Sequence, residues 1–287
     1  MADKFPPARA VFDEADRALG FPLSKLCFEG TEEELRQTEV TQPAILAVSI
    51  AALRALEIAR PEFPKPRFVA GHSLGEFSAL VAAKAIAFKD ALRVVRERGR
   101  LMSRAVPAAE GAMAAVLGLD AAMVGKVVEK IAAKMGKVLA VANFNSAEQT
   151  VISGEKAAVE LAKRAFTELG AARFVDLAVS APFHSSLMAK AADGLHRALQ
   201  AIEIMPFDTP IITNVEAAPN KDCARVRQLL VDQLTRPVRW HESMRAMRAL
   251  GVTNLIELGP GRVLSRLAKQ IDPSFEVGSL EELVKAS

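Results

Sequence analysis

Apolar positions recur at helical spacing through the first hundred residues, then change to short strand-like runs. Between residues 8 and 19, Val11, Phe12, Ala15 and Leu19 share one helical face, and the pattern stops at Gly20. Thr31 followed by three glutamates supplies a cap residue and first-turn acids for another helix. The alanine- and leucine-rich run over 44–59 predicts a buried helix, broken afterwards by Pro61, Pro64 and Pro66. Residues 67–70 predict a short strand. Helices over 76–87 and 91–104 follow.

From Gly111 the pattern changes. Strands are predicted over 112–119, 138–143, 149–153 and 173–179, with helices over 121–134 and 155–169. The order βαββαβ is that of a ferredoxin-like unit. Because α/β material resumes at Ala181, with strands over 210–214 and 254–258, residues 110–180 read as an insert. The enclosing α/β domain is then 1–109 together with 181–287. No repeat or low-complexity linker interrupts it.

Composition narrows the class without naming a reaction. A formal charge of +3 is too small to argue for nucleic acid as a partner. The apolar runs read as too short to cross a bilayer, so no membrane role is expected, and no secretory signal is visible at the start. Cys27 and Cys223 lie far apart, with no Cys/His cluster around them. That argues against a disulfide framework or a metal site and fits the cytoplasm.

The chemistry concentrates at residues 71–75, Gly-His-Ser-Leu-Gly. A serine hydroxyl needs a base and an exposed position to act as a nucleophile. A glycine on either side lets the backbone crowd into a sharp strand-to-helix turn and lifts Ser73 above the sheet edge. The N–H of Leu74, at the helix start, is the natural oxyanion donor. The alternative reading is a glycine-rich turn capped by serine; the predicted strand before it and helix after it favour the nucleophile.

With Thr41-Gln-Pro before this turn and Arg96-Glu-Arg-Gly-Arg-Leu-Met after it, the sequence resembles the malonyl-CoA:acyl carrier protein transacylases of fatty acid synthesis. The acyltransferase domains of polyketide synthases belong to the same group. The likeness continues in order through the motifs at 141–146, 151–154, 180–188, 233–240 and 257–261. It implies an α/β-hydrolase-like domain with a ferredoxin-like insert. The implied reaction is ping-pong: malonyl passes from coenzyme A to Ser73, then to the phosphopantetheine thiol of acyl carrier protein. No cofactor is implied beyond the coenzyme A thioester, which is substrate, and the family leans monomeric.

Site residues carry over on the matching motifs. His184 matches the general base, and Gln233 stands where the family places the backbone carbonyl that orients it. Arg98 matches the arginine that grips the free malonyl carboxylate, a task suited to a planar guanidinium. Gln42 and Met102 match positions near the acyl pocket. Phe183, beside His184, goes with malonyl over methylmalonyl in the polyketide relatives. His72 and Asn143 are expected in support. His196 reads as helix surface. The alternative for Arg98, among Arg93, Arg96, Arg100 and Arg104, is a solvated helix face.

The family's usual opening strand and Pro-Gly-Gln-Gly-Ser-Gln loop, source of a second oxyanion donor, have no counterpart in these residues. A wrong or shortened start is the expected reason, and loss of one such donor typically costs about 10²–10³ in turnover. Two other functions remain: a serine acyl-hydrolase or thioesterase, and an inactive relative. Arg236, Arg239, Arg245 and Arg248 could dock an acidic carrier protein or form ordinary solvated surface.

Overall fold

The computed structural model describes every residue except 1, 3, 108, 180, 281 and 283–287. Ser180, the first residue of the 180–188 motif and the last of the expected insert, therefore lies outside the described residues.

Four helices open the chain: α1 (Pro6–Leu19), α2 (Leu23–Glu29), α3 (Glu32–Arg36) and α4 (Thr38–Ala59). Proline in the first turn of α1 costs no hydrogen bond, and Ala8, Val11, Phe12, Ala15 and Leu19 face inward. Thr31 and Glu34 close a reciprocal capping box on α3. Helix α4 starts six residues before the predicted 44, with Pro43 inside it. The missing N–H removes one bond from a ladder of 22 residues, and the face carrying Gln42, Pro43 and Ala44 is buried. By length and composition this helix could cross a membrane, contrary to the sequence expectation. In the fold, 61% of its apolar window is buried, as befits a core helix.

Strand β1 (Val69–Ala70) is half the predicted length and runs through the glycine-serine turn into α5 (Gly75–Ala82). Helix α5 stops before the predicted residue 87. Lys84 takes a left-handed backbone, φ 64°, and the N–H groups of Lys84 and Ala85 donate back to Val81 and Leu80 in a Schellman-type end. Helix α6 (Phe88–Arg104) packs across α4 at unusually close range. A Cβ on Gly99 would stand 2.4 Å from the Thr38 carbonyl oxygen, so only glycine allows this approach.

Residues 111–176 then form a four-stranded antiparallel sheet from β2 (Gly111–Leu117), β3 (Leu139–Ser146), β4 (Gln149–Glu155) and β5 (Arg173–Asp176). The strand order is β3-β4-β2-β5. Helices α7 (Ala121–Met135) and α8 (Lys156–Glu168) bury Val124, Val128, Ile131, Val159 and Phe166 on one face of it. Met113, Ala115, Ala142 and Val151 form a smaller cluster with Phe183 packed against it.

After a short 3₁₀ turn at Ser186–Met188 come α9 (Ala189–Gln200), β6 (Ile211–Ile212), β7 (Pro219–Asn220) and α10 (Cys223–Asp232). The described residues finish with α11 (Trp240–Ala249), β8 (Asn254–Glu257), α12 (Val263–Ile271) and β9 (Glu276–Ser279). Strand β1 pairs parallel to β6, which pairs antiparallel to β7; β8 and β9 form a separate parallel pair. Apolar residues of α1, α4, α5, α6, α9 and α10 share one large core. A second core gathers Ile212, Val238, Trp240, Met244 and Phe275. Ser73 sits where β1 ends.

Candidate active site

Ser73 occupies a left-handed backbone conformation, φ 51°, which a non-glycine residue adopts only when its surroundings hold it. Asn214, two residues beyond β6, supplies the hold. Its Oδ1 accepts from the Ser73 N–H at 2.7 Å, and its Nδ2 donates to the Gly71 carbonyl at 2.7 Å. Gly71 is sterically required, since a Cβ there would lie 2.0 Å from the carbonyl of Gly75. Gly75 is not: a Cβ at that position meets nothing within 4 Å, which corrects the expectation that both glycines relieve crowding. The N–H groups of Gly75 and Glu76 donate to the carbonyls of His72 and Ser73. The Leu74 N–H has no internal acceptor among the described residues.

His184 stands 111 residues from Ser73 in sequence and 2.9 Å from it in space, Nε2 to Oγ. Its Nδ1–H donates to the Gln233 carbonyl at 2.7 Å, so Nε2 carries the lone pair and can accept the serine proton. Its backbone is also left-handed, φ 56°. Burial, then the positive charge of Arg98, push its pKa down to about 3.

Arg98 is 1% exposed, not a solvated helix residue. Nη2 donates to Ser73 Oγ at 3.1 Å and to Gln233 Oε1 at 2.9 Å, and Nη1 donates to Gln42 Oε1 at 2.8 Å. Its buried Nε–H has no partner among the described residues. Burial lowers its pKa to about 10, so it stays charged at neutral pH. Met102 Sδ accepts from Gln42 Nε2 at 3.6 Å, which turns the Gln42 oxygen toward the guanidinium. Gln42, on α4, thus reaches the arginine of α6, and Met102 holds its amide in place.

Gln233 serves the site twice: its carbonyl holds His184, and its side chain bridges Arg98 to the elbow. Nε2 donates to the Ser73 carbonyl at 3.0 Å and to Glu76 Oε2 at 2.6 Å. Burial pushes the Glu76 carboxyl up to about 7, opposed by its hydrogen bonds from Gln233 and Asn214 and by the charge of Arg98.

His72 is oriented by Asn145, Nε2 to Oδ1 at 2.9 Å, and its ring lies 5.6 Å from that of Trp240. Burial lowers its pKa. Asn145, at the edge of the four-stranded sheet, performs the support expected of Asn143. Asn143 lies on β3 and bridges to Val238 through its backbone. Phe183 packs between the large core and the smaller sheet cluster, next to His184. His196 is exposed on α9. Arg236, Arg239 and Arg248 are matched by Asp232, Glu242 and Asp272, so most of the suggested basic patch is internally neutralised.

Glu76, Asn145 and Asn214 were missed in the sequence. Glu76 alone had a local signal, its place directly after the Gly-His-Ser-Leu-Gly turn.

Comparison with known proteins agrees with this geometry. The sequence profile of the acyl transferase domain matches residues 3–283. The chain is 48% identical over 272 residues to the malonyl CoA-acyl carrier protein transacylase of Bacillus subtilis, covering 95% of this chain and 84% of that protein. To the protein of the same description from Escherichia coli O157:H7 it is 43% identical over 282 residues, 98% of this chain and 90% of the other. The solved malonyl CoA-acyl carrier protein transacylase of Coxiella burnetii superposes with a TM-score of 0.95 at 38% identity, covering 99% of this chain and 89% of that one. A malonyl-transacylase solved in complex with a type II polyketide acyl-carrier protein gives 0.93 at 40% identity, covering 100% and 93%. The fold is thus the α/β fold of these enzymes, and the chain belongs to the acyl transferase family, with malonyl CoA-acyl carrier protein transacylases among its relatives.

Proposed function

We propose that this protein transfers malonyl from malonyl-CoA to the phosphopantetheine thiol of acyl carrier protein, with Ser73 carrying the acyl group between them. His184 Nε2 takes the Ser73 proton as Oγ attacks the thioester carbonyl. The Leu74 N–H faces the oxyanion that forms. Collapse of the tetrahedral species breaks the carbon–sulfur bond, and His184 returns the proton to the departing coenzyme A sulfur. The carrier thiol then gives its proton to His184 and attacks the Ser73 ester, which regenerates the hydroxyl.

The low pKa of His184 does not oppose this role. Part of the depression comes from Arg98, and a malonyl carboxylate on that guanidinium cancels the charge. Substrate binding therefore strengthens the base as it becomes needed. The reaction calls on no resident cofactor. A cytoplasmic location fits the two free cysteines, Cys27 and Cys223. The two-domain reading, 110–180 within 1–109 and 181–287, fits a sheet that carries its own core and contributes Asn145 to the elbow.

The observation that carries the reading is the buried Arg98 guanidinium 3.1 Å from the nucleophile. A thioesterase acting on simple acyl groups has no use for it. Incubation with malonyl-CoA, followed by digestion and mass spectrometry, should find malonyl on the Ser73 peptide. Holo acyl carrier protein should then remove it. An unlabelled Ser73 would refute the reading, and a label lost to water as fast as to the carrier would indicate a hydrolase.

A further inference from the structure

One buried carboxylate beside the nucleophile has no part in the proposed transfer. Glu76 is 2% exposed, in the first turn of α5. Its Oε2 accepts from Gln233 Nε2 at 2.6 Å and from the Asn214 N–H at 3.2 Å. The first contact fixes the polarity of the Gln233 amide. With its NH₂ held by Glu76 and the Ser73 carbonyl, Oε1 must face Arg98. A turned amide would set donor against donor.

The charges around Glu76 can be counted. Arg98 approaches from α6. His72 from the elbow and His184 from the segment before α9 are the other titratable groups of the site, and burial keeps both imidazoles neutral. The protein's own groups thus supply one buried cation and one buried anion. A malonyl ester delivers a second carboxylate to the same guanidinium. Two carboxylates against one guanidinium leave an uncompensated buried negative charge, which a low-dielectric site penalises until one of them takes a proton.

We propose that Glu76 is a positioning residue for carboxylate recognition: it orients Arg98 through Gln233, and it takes up a proton from solvent as the malonyl carboxylate enters, so that Arg98 exchanges its internal counter-charge for the substrate's. The carboxylate becomes a carboxylic acid, and no substrate bond forms or breaks. This rests on the malonyl-transfer reading above. A resting pKa of about 7 leaves Glu76 largely ionised just above neutrality and within reach of protonation.

Titration calorimetry on the Ser73→Ala protein, at pH 8 in buffers of differing ionisation enthalpy, counts the protons taken up on binding malonyl-CoA or acetyl-CoA. Malonyl-CoA should take up about one proton per site more than acetyl-CoA. Above pH 7 its dissociation constant should weaken by up to about tenfold per pH unit, while that of acetyl-CoA stays level. The excess should vanish in Ser73→Ala/Glu76→Gln, where glutamine keeps an acceptor for Gln233 but cannot titrate. Equal uptake for both thioesters, or an excess that survives Glu76→Gln, overturns the proposal. The first arm retains Glu76, so it stands even if the double variant folds poorly. Wild-type protein labelled on Ser73 by malonyl-CoA but showing no excess uptake removes this inference alone; no label on Ser73 removes both readings.

Discussion

Replacing Arg98 with alanine should alter which acyl group is accepted far more than it alters turnover of a neutral one. Arg98 contacts Ser73 Oγ, Gln42 and Gln233, and loss of those contacts burdens malonyl and acetyl transfer alike. The ratio of the two rates cancels that shared cost. What remains is the penalty for placing a carboxylate in a buried site stripped of its cation. Removing one partner of a buried ion pair costs about 3–5 kcal/mol. At about 1.4 kcal/mol per decade, the malonyl-to-acetyl preference in kcat/KM should fall by roughly 10²–10⁴-fold.

Burial decides this magnitude. An arginine on a solvated helix face would be worth about 0–1 kcal/mol, or roughly fivefold at most, and Arg98 is 1% exposed. The variant should remain folded, because Glu76, deprived of its counter-charge, can protonate near neutral pH instead of standing ionised and alone. Initial rates with malonyl-CoA and acetyl-CoA as donors to holo acyl carrier protein, alongside melting curves, test the argument. Equal losses for the two donors, or a preference changed by less than about fivefold, would refute it.

Three further outcomes follow from the same geometry. Gly71→Ala drives a Cβ to 2.0 Å from backbone and should abolish labelling of Ser73. Gly75→Ala meets open space at the start of α5 and should fold at least as stably as the parent; a melting temperature lowered as far as by Gly71→Ala would contradict this. The kcat/KM for malonyl-CoA should stay level from pH 7 down to 5, because His184 is held near 3 in the free enzyme and remains a neutral base throughout. An imidazole of ordinary pKa would lose roughly 25-fold over that range, and a midpoint near 6.5 in the profile counts against the assignment. Asn145→Ala removes the hydrogen bond to the partly buried His72 ring and should lower stability by about 0.5–1.5 kcal/mol in denaturant titration; an unchanged unfolding midpoint would show that the contact contributes nothing.

The site residues divide by how far their constraints reach along the chain. Ser73 was legible because strand, turn and helix are local, and the steric demand on Gly71 falls four residues away. Arg98 could be identified only by resemblance. Helix α6 carries five arginines, and this one alone lies on its buried face, with Val94, Val95 and Met102, where Gly99 lets α4 approach. The four-stranded sheet was legible in order, since its strands and helices follow one another as βαββαβ. Strand lengths were not: β1 and β6 are two residues each because pairing, not propensity, ends them.

Asn214 could not be placed from sequence, and Glu76 only beside the turn, for a reason that also explains their function. An amide or a carboxylate has no periodicity, and its role depends on which group stands opposite. Asn214 meets Ser73 across 141 positions, and Gln233 meets Glu76 across 157. Each contact fixes the polarity of the next, from the Glu76 carboxylate to the Gln233 amide and on to the Arg98 guanidinium and the Ser73 hydroxyl. A nucleophile motif specifies where the hydroxyl points. Which acyl group reaches it is set by this chain of donors and acceptors, so a sequence that keeps the motif while changing Glu76 should keep the fold and lose its preference for a carboxylate-bearing acyl group.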